Sequence, residues 1–273
     1  MSFKTYFPKH EENRMKNEGD VLTARDNFVS MFIEQSRAEQ NFVLYNLLWQ
    51  RFNWMNDYIR HDDKKIIEVG CGAGLSQFFI NTDKLVLTDI LDNPWVDRQE
   101  DALHLSYPDN SLDIVIASEM IHHLASPHAF FTDMAMKLKP GGRIIIQDMC
   151  NSLIMKLALR IMRHEGWDDT VDVFSPKAIC NQADDPWSAN CSIPDLLFRD
   201  TANFEKEFPM YRVIKSERNE CFMFLFSGGV IAKGPRLPLP KFLTKVLAVI
   251  DKVCIFALPE VFACGRSVVL EKK

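Results

Sequence analysis

The stretch that decides the fold is KKIIEVGCGAGLSQF, which spans residues 64–78. Its apolar run, Ile66–Val69, predicts a buried strand, and three glycines follow at alternate positions, Gly70, Gly72 and Gly74. Glycines directly after a strand permit a tight turn and let a ligand lie against the backbone. The stretch therefore predicts a ligand-binding loop at the carboxyl end of a strand.

Around this loop the chain changes from helices to an alternation of strands and helices. Apolar residues at helical spacing over 22–33 and 42–59 predict N-terminal helices. Beyond residue 60, short apolar runs predict strands over 66–69, 85–87, 112–117, 143–147, 211–216 and 266–270, and helices over 75–80, 127–138 and 153–162. This alternation predicts an α/β fold whose parallel sheet is covered on both faces. We expect a helical cap over 1–60 and an α/β domain over 61–273, with insertions at about 164–204 and 219–260.

Composition and charge restrict the class of protein. Hydrophobic residues make up 47% of the chain and charged residues 25%, which are ordinary globular values. The formal net charge of −5 argues against a generally basic, nucleic-acid-binding surface. The seven cysteines are scattered without a C-x-x-C pair, so neither a disulfide framework nor a metal site is predicted. A cytoplasmic location is expected, because residues 1–14 lack the apolar run of a signal peptide and no stretch reaches the ~18 apolar residues of a spanning helix.

The glycine spacing separates several kinds of nucleotide loop. In the dinucleotide pattern G-x-G-x-x-G the third glycine would fall at Leu75, which disfavours a nicotinamide oxidoreductase, and no G-K-[ST] of a Walker loop follows. The spacing from Glu68 to Gly74, E-x-G-x-G-x-G, instead resembles motif I of the class I S-adenosylmethionine (SAM) methyltransferases.

Three further matches to that family follow in order. Asp89 ends the second predicted strand, 19 residues after Gly70, and EDALHLSYPDNSLDIVIAS at 100–118 is similar to the next family segment. HHL at 122–124 and KPGGR at 139–143 complete the set. The resemblance, close to the methyltransferase type 11 group, covers roughly residues 64–149. It implies a Rossmann-like sheet of seven strands, parallel except for one antiparallel strand near an edge, with SAM across the carboxyl ends of the central strands.

Carried over by position, the resemblance implies a set of cofactor-binding residues: Glu68, Gly70, Cys71, Gly72, Gly74, Asp89, Asp101, Ala102 and Ser118. Asp89 would hold the ribose hydroxyls, and Asp101 with Ala102 would frame adenine. Ordinary structural roles stay open for several of them, such as a small core filler for Cys71 and helix–strand packing for Gly74.

The sequence departs from the family pattern near the adenine segment. Ser106 and Tyr107 stand where proline and phenylalanine are usual, and Ile90 replaces the frequent small polar neighbour of the ribose acid. These departures weaken the adenine assignment and leave the family resemblance intact.

His122 and His123 are the candidates for a catalytic base, because imidazole titrates near neutrality and their loop borders the methyl-transfer site in similar enzymes. The alternative is that either ring packs or caps the following helix, and Glu119 is a further candidate to position an acceptor. We expect a SAM-dependent methyltransferase that acts on an oxygen, nitrogen or carbon of a small, hydrophobic metabolite. The alternative is a non-catalytic protein of the same fold that binds a ligand or partner.

A hydrophobic insertion interrupts the last two predicted strands. Residues 241–258 are apolar around most of a helix and are interrupted by Lys241, Lys245 and Lys252. The segment 233–273 carries a formal charge of +5, which leaves −10 for the rest of the chain. The insertion could cap the sheet or form a dimer contact, close as a lid over a lipid-like acceptor, or touch an anionic membrane. The sequence leaves these alternatives, and the oligomeric state, open.

Overall fold

A seven-stranded mixed sheet forms the centre of the molecule. The computed structural model describes residues 4–8, 18–33, 41–163, 165–182, 185, 187–231 and 234–273. The strands are β1 (Thr5–Tyr6), β2 (Ile66–Val69), β3 (Leu85–Asp89), β4 (Arg98–Gln99), β5 (Leu112–Ser118), β6 (Leu138–Met149), β7 (Trp167–Asp168), β8 (Tyr211–Asn219) and β9 (Gly265–Lys272). The α-helices are α1 (Glu18–Phe28), α2 (Phe42–Phe52), α3 (Pro127–Lys137), α4 (Leu153–Met162), α5 (Ile193–Phe198), α6 (Thr201–Glu207), α7 (Phe222–Leu225), α8 (Lys241–Ala257) and α9 (Pro259–Phe262).

The strand order is β4-β3-β2-β5-β6-β9-β8, and β1 pairs separately with β7. Strands β4, β3, β2, β5 and β6 run parallel, whereas β9 is antiparallel to both β6 and β8. The predicted Rossmann-like sheet with one antiparallel strand near an edge is confirmed. Chain order reverses between β2 and β5, and ligands of open α/β sheets bind at such a switch point.

Side chains of the central strands point alternately to the two faces of the sheet, and apolar side chains cover both faces. All four residues of β2 are buried. Ile67 and Val69 belong to a core on the side of α3, which includes Phe131. Ile66 belongs to a second core with Phe52, on the side of the N-terminal helices. Side chains of a strand point alternately to opposite faces, so one apolar run supplies both cores.

Several boundaries differ from the predicted ones; the helix predicted over 22–33, for example, is α1 followed by a π-helix, Val29–Ile33. The segment after the glycine loop forms only a short 3₁₀ helix, Leu75–Phe78, where a helix over 75–80 was predicted. The strand β3 already begins at Leu85, which leaves little chain for a longer helix. The predicted helix over 42–59 is α2 followed by a 3₁₀ turn, Asn53–Tyr58. Strand β6 begins five residues before the predicted strand over 143–147, because Leu138 already pairs with Leu112 across a register shift.

The N-terminal helices pack directly on the sheet. Phe28 of α1 and Leu48 of α2 share a core with Ile66. The division into 1–60 and 61–273 stays a prediction, and residues 1–3, 9–17 and 34–40 of the first part lie outside the described residues, as do 164, 183, 184 and 186 of the predicted insertion.

None of the described helices combines the length and apolarity needed to cross a bilayer. A cytoplasmic location stays a prediction.

Candidate active site

The glycine loop adopts backbone angles that suit glycine. Gly70, Gly72 and Gly74 have φ values of +64°, +51° and +62°, in the left-handed region. A Cβ atom on Gly70 would lie 2.4 Å from Cγ of Met120, and one on Gly74 would lie 2.7 Å from Cδ1 of Trp95. The two outer positions of the motif therefore exclude any side chain, and the loop presents bare backbone at the end of β2.

Asp89 ties the end of β3 to this loop. One carboxylate oxygen accepts a hydrogen bond from the Gly72 amide at 2.8 Å, and the other accepts one from the Leu91 amide at 2.9 Å. Burial raises the pKa of Asp89, while these amide donors act in the opposite direction. Each carboxylate oxygen has a second lone pair, so the predicted contact with a ribose hydroxyl remains open to Asp89.

Glu68 is a buried acid at the entrance of the loop. The Ser76 hydroxyl donates a hydrogen bond to its carboxyl group. Burial raises the pKa of Glu68 to about 8, which the Ser76 hydrogen bond opposes and the charge of Asp89 reinforces. The side chain is thus neutral over much of the physiological range and can donate as well as accept a hydrogen bond.

A cavity of about 550 Å³ opens at the switch point between β2 and β5. Seven of the predicted site residues line it: Glu68, Gly70, Cys71, Gly72, Ser118, His122 and His123. The other four, all within the described chain, lie outside the lining: Gly74, Asp89, Asp101 and Ala102. Asp101 is exposed, and its carboxylate accepts from the Leu103 amide at 2.8 Å. The predicted adenine end therefore lies on an open surface beside the cavity.

His122 is fully buried between two acids. Its Nδ1 lies 2.6 Å from a carboxylate oxygen of Asp148, and its Nε2 lies 3.8 Å from Glu165. Burial disfavours the imidazolium, but Asp148 and Glu165 together raise the pKa of His122 well above its usual value. The same Asp148 accepts from the Ile121 amide at 2.6 Å. His122 is therefore a charged ring that fixes the loop after β5, which leaves it poorly suited to accept a proton.

His123 has the opposite character. Its Nδ1 lies 3.0 Å from the backbone oxygen of Ser188, and a carbonyl oxygen can only accept, so Nδ1 carries the hydrogen. Nε2 then holds a lone pair. Burial, together with the charge of His122, lowers the pKa of His123 to about 4. A neutral imidazole with a free lone pair on the cavity wall is suited to take a proton from an acceptor.

The same histidines also raise the question of a metal. Atoms of His122, His123 and Glu165 lie within 4.8 Å of one another, as do atoms of Glu119, His122 and Asp148. Both groups include His122, whose Nδ1 is paired with Asp148 at 2.6 Å.

The far end of the cavity is apolar. Its wall comes from α4 and from the segment after β8: Ile154, Met155, Leu157, Ala158, Ile161, Met162, Phe224, Leu225, Phe226, Val230 and Ile231. Trp187 of the insertion at 164–204 also lines the cavity, whereas Trp167, Phe174 and Phe198 of the same insertion pack in the protein cores. None of the described residues of α8 lines the cavity, so α8 does not form its lid.

Residues 39–186, more than half of the chain, match the model of a protein family described as "Methyltransferase domain". The chain belongs to the methyltransferase domain family. This membership confirms the predicted class, a methyltransferase.

Among curated proteins, phosphoethanolamine N-methyltransferase 1 of Arabidopsis thaliana is 31% identical over 106 residues, which are 33% of this chain and 22% of that relative. Hybrid PKS-NRPS synthetase gkaA of Penicillium citrinum is 26% identical over 180 residues, which are 56% of this chain and 4% of that relative. The methyltransferase thus spans about a fifth or less of the length of these relatives. A solved SAM-dependent methyltransferase from Archaeoglobus fulgidus shares the fold, with a TM-score of 0.51 and 19% identity over 84% of this chain and 94% of that one.

Sequence reasoning missed an arginine at the centre of the methyltransferase site. Arg51 of α2 donates through Nε and Nη2 to both carboxylate oxygens of Glu220, at 2.8 Å each. Its Nη1 lies 3.4 Å from Glu119. Burial raises the pKa of Glu119 to about 8, while Arg51 acts to lower it. The three residues come from the cap, the end of β5 and the end of β8, so no local pattern could have joined them.

Trp95 and Arg25 were missed as well. The Trp95 indole donates to the backbone oxygen of Gly72 at 2.8 Å, and Arg25 donates to the oxygen of Ala73 at 2.9 Å. The Arg25 guanidinium also lies over the Trp95 ring, 4.8 Å from a ring centroid. These contacts hold the outer side of the glycine loop. No sequence pattern predicted the role of Trp95, which is a single aromatic residue in a loop.

Proposed function

We propose that this methyltransferase transfers a methyl group from SAM to a small, hydrophobic acceptor bound in the 550 Å³ cavity. The observation that carries the proposal is that the bare glycine loop and the neutral His123 lie on the walls of one cavity whose remaining surface is largely apolar. SAM supplies an electrophilic methyl group on a sulfonium. Holding an acceptor in line with that carbon accounts for a large part of the barrier lowering in such transfers.

The loop suits the cofactor. Gly70 and Gly72 line the cavity, and a Cβ atom on Gly72 would meet only Ile231 at 3.8 Å, so the bare backbone there leaves room for a ligand to approach closely. Asp89 offers carboxylate lone pairs for ribose hydroxyls, and Glu68 and Ser118 offer polar atoms inside the cavity for the amino-acid end. The open surface at Ile90, Asp101 and Ala102 would take adenine.

His123 would act as the base. Its Nε2 lone pair accepts the proton of a hydroxyl or ammonium acceptor, while the Ser188 carbonyl holds the ring orientation through Nδ1. His122 would act as a positioning residue, since its bond to Asp148 fixes the loop that carries His123. With a pKa of about 4 the ring is unprotonated throughout the neutral range, and its lone pair can accept a hydrogen bond from the acceptor. Because so low a pKa makes the ring a weak base, it takes the proton only as bonding to the methyl group makes that proton acidic.

The lining supports a hydrophobic acceptor over a doubly charged one. The relatives named phosphoethanolamine N-methyltransferases point to an amine acceptor in that family branch. In this chain, however, the arginine on the cavity wall, Arg51, is already paired with Glu220 and Glu119. Other side chains of the wall, such as Leu157 and Phe224, are apolar, and the Phe224 ring lies beside the Arg51 guanidinium, 5.5 Å from its central carbon. An acceptor with one polar reacting group and a hydrocarbon body fits a cavity whose lining is polar at one end and apolar elsewhere.

The test combines calorimetry with an acceptor screen. Calorimetry measures SAM binding to the full chain, and the screen uses SAM labelled in the methyl group with phenolic and lipid-like acceptors. We expect SAM binding by the chain and label transfer to apolar acceptors. Transfer should fall with His123→Ala and persist with His104→Ala, a control at an exposed histidine. Absence of SAM binding would remove the proposal. SAM binding without transfer to any acceptor would favour the non-catalytic alternative.

A further inference from the structure

Helix α8 buries two polar side chains and exposes a row of apolar ones. Its two fully buried positions are polar, Thr244 and Asp251. The Asp251 carboxylate accepts from the backbone amides at the start of α7, including that of Phe222 at 2.8 Å. The Thr244 hydroxyl accepts from the Asn46 side chain of α2 at 2.9 Å. These hydrogen bonds anchor α8 to the fold together with Leu247 and Ala248, which pack on the apolar cluster of Val43, Leu47 and Met223.

The outward face of α8 is an apolar stripe. Its members are between 51% and 91% exposed: Phe242, Val246, Val249, Val253 and Phe256. Their spacing of four and three residues keeps them on one side of a helix that turns about 100° per residue. Thr244 and Asp251 lie on the opposite side by the same count. A continuous apolar stripe on a protein surface marks an interaction site.

Lysines border this stripe along one edge. Lys241, Lys245 and Lys252 are all exposed and lie at neighbouring angles of the same helix. They belong to the segment 233–273, which carries a formal charge of +5 in an otherwise acidic chain. An apolar stripe with a row of lysines beside it has the composition of a helix that lies in the interface of an anionic bilayer. We infer that α8 docks this methyltransferase on the surface of an anionic lipid bilayer.

A second helix supports the same occupant. On α4 the exposed positions Leu153, Leu157 and Ile161 form another outward apolar row, and Leu157 and Ile161 also line the cavity. The short helix α9 contacts both α4 and α8. A bilayer touching these helices would lie next to the apolar end of the cavity. The methyl acceptor would then be an amphiphile that enters the cavity from the bilayer, a statement that rests on the proposed function.

The experiment measures vesicle binding by the full chain without SAM or acceptor. Flotation uses vesicles of phosphatidylcholine alone or with about 30% phosphatidylserine, at low and high salt. We expect the chain to float with the anionic vesicles and to bind more weakly to neutral vesicles or at high salt. Val249→Glu should weaken binding roughly tenfold or more, because it removes a buried apolar contact and adds a repelled charge. Lys245→Gln should weaken it roughly fivefold.

Ile179→Glu is the matched control, since Ile179 is a strongly exposed apolar residue outside α4 and α8. It should leave vesicle binding unchanged, and circular dichroism checks the folding of each variant. Lack of flotation, or flotation that Val249→Glu leaves unchanged, would overturn the inference. A lipid-free dimer that Val249→Glu dissociates, together with no vesicle binding, would overturn it in favour of a second copy of the chain. Calorimetry with SAM on the same samples separates failure of docking from failure of the proposed function.

Discussion

Replacing Arg51 by methionine should destabilise the fold strongly. Arg51 and Glu220 are both buried, and the pair makes two hydrogen bonds of 2.8 Å. Methionine fills a similar volume but leaves Glu220 without its cation, and Glu119 loses its contact at 3.4 Å. Removing one partner of a buried pair costs about 3–5 kcal/mol in unfolding free energy. The assay is urea unfolding of Arg51→Met and the parent chain, followed by circular dichroism and compared at one pH.

Two controls separate the buried charge from a general packing effect. Arg212→Met makes the same change in an exposed ion pair with Glu271 and should cost about 0–1 kcal/mol. Adding Glu220→Gln to Arg51→Met removes the uncompensated charge and should recover a large part of the loss. A cost of Arg51→Met below about 1 kcal/mol, or no recovery in the double variant, would refute the reasoning.

The remaining predictions concern Glu68, His123 and Asp89. The pKa of Glu68 is raised from 4.5 to about 8 in the fold, so the unfolded chain binds fewer protons between these values and stability should fall as the pH rises through that window. Glu68→Gln should flatten this fall in pH-dependent urea unfolding, and an unchanged slope would contradict the assignment. The pKa of His123 is lowered to about 4, so protonation of this ring should not affect the rate of methyl transfer above about pH 5. His123→Ala should reduce that rate by about 10²–10⁴-fold in the label-transfer assay. Asp89→Asn should weaken SAM binding by about tenfold or more in calorimetry. The control Asp92→Asn, at an exposed position, should leave SAM binding unchanged. If Asp89→Asn bound SAM as tightly as the parent chain, Asp89 would not hold the ribose.

The strands and the glycine loop could be predicted because their signals are local. Ile66–Val69 has the predicted bounds, and α4 has the predicted bounds of 153–162. Short strands such as β4 and β7 were missed, since two residues carry no periodic pattern and their pairing depends on the neighbouring strand. The short 3₁₀ helix after Gly74 was predicted as a longer helix for a related reason, since apolar spacing alone does not fix where a helix ends.

The sequence could nominate both histidines, but it could not tell their roles apart. His122 and His123 are adjacent and have the same intrinsic chemistry. The fold gives His122 two acidic neighbours, Asp148 and Glu165, and gives His123 a backbone carbonyl from Ser188. Asp148 lies 26 residues from His122 along the chain, and Ser188 lies 65 residues from His123. The protonation state of each ring depends on these neighbours. Only the tertiary structure therefore shows that His122 is a charged positioning residue and His123 a neutral proton acceptor.

By itself the sequence determined the fold class, the family and the position of the cofactor loop, because glycines after a strand and alternating apolar runs act through local backbone geometry. Only the tertiary structure decided which side of α8 faces water. Apolar spacing predicts a helix with a buried apolar face, yet Asp251 and Thr244 turn inward because backbone amides and Asn46 satisfy them there. The apolar stripe then remains outside, because the side of α8 that packs on the fold already carries Thr244 and Asp251 beside Leu247 and Ala248.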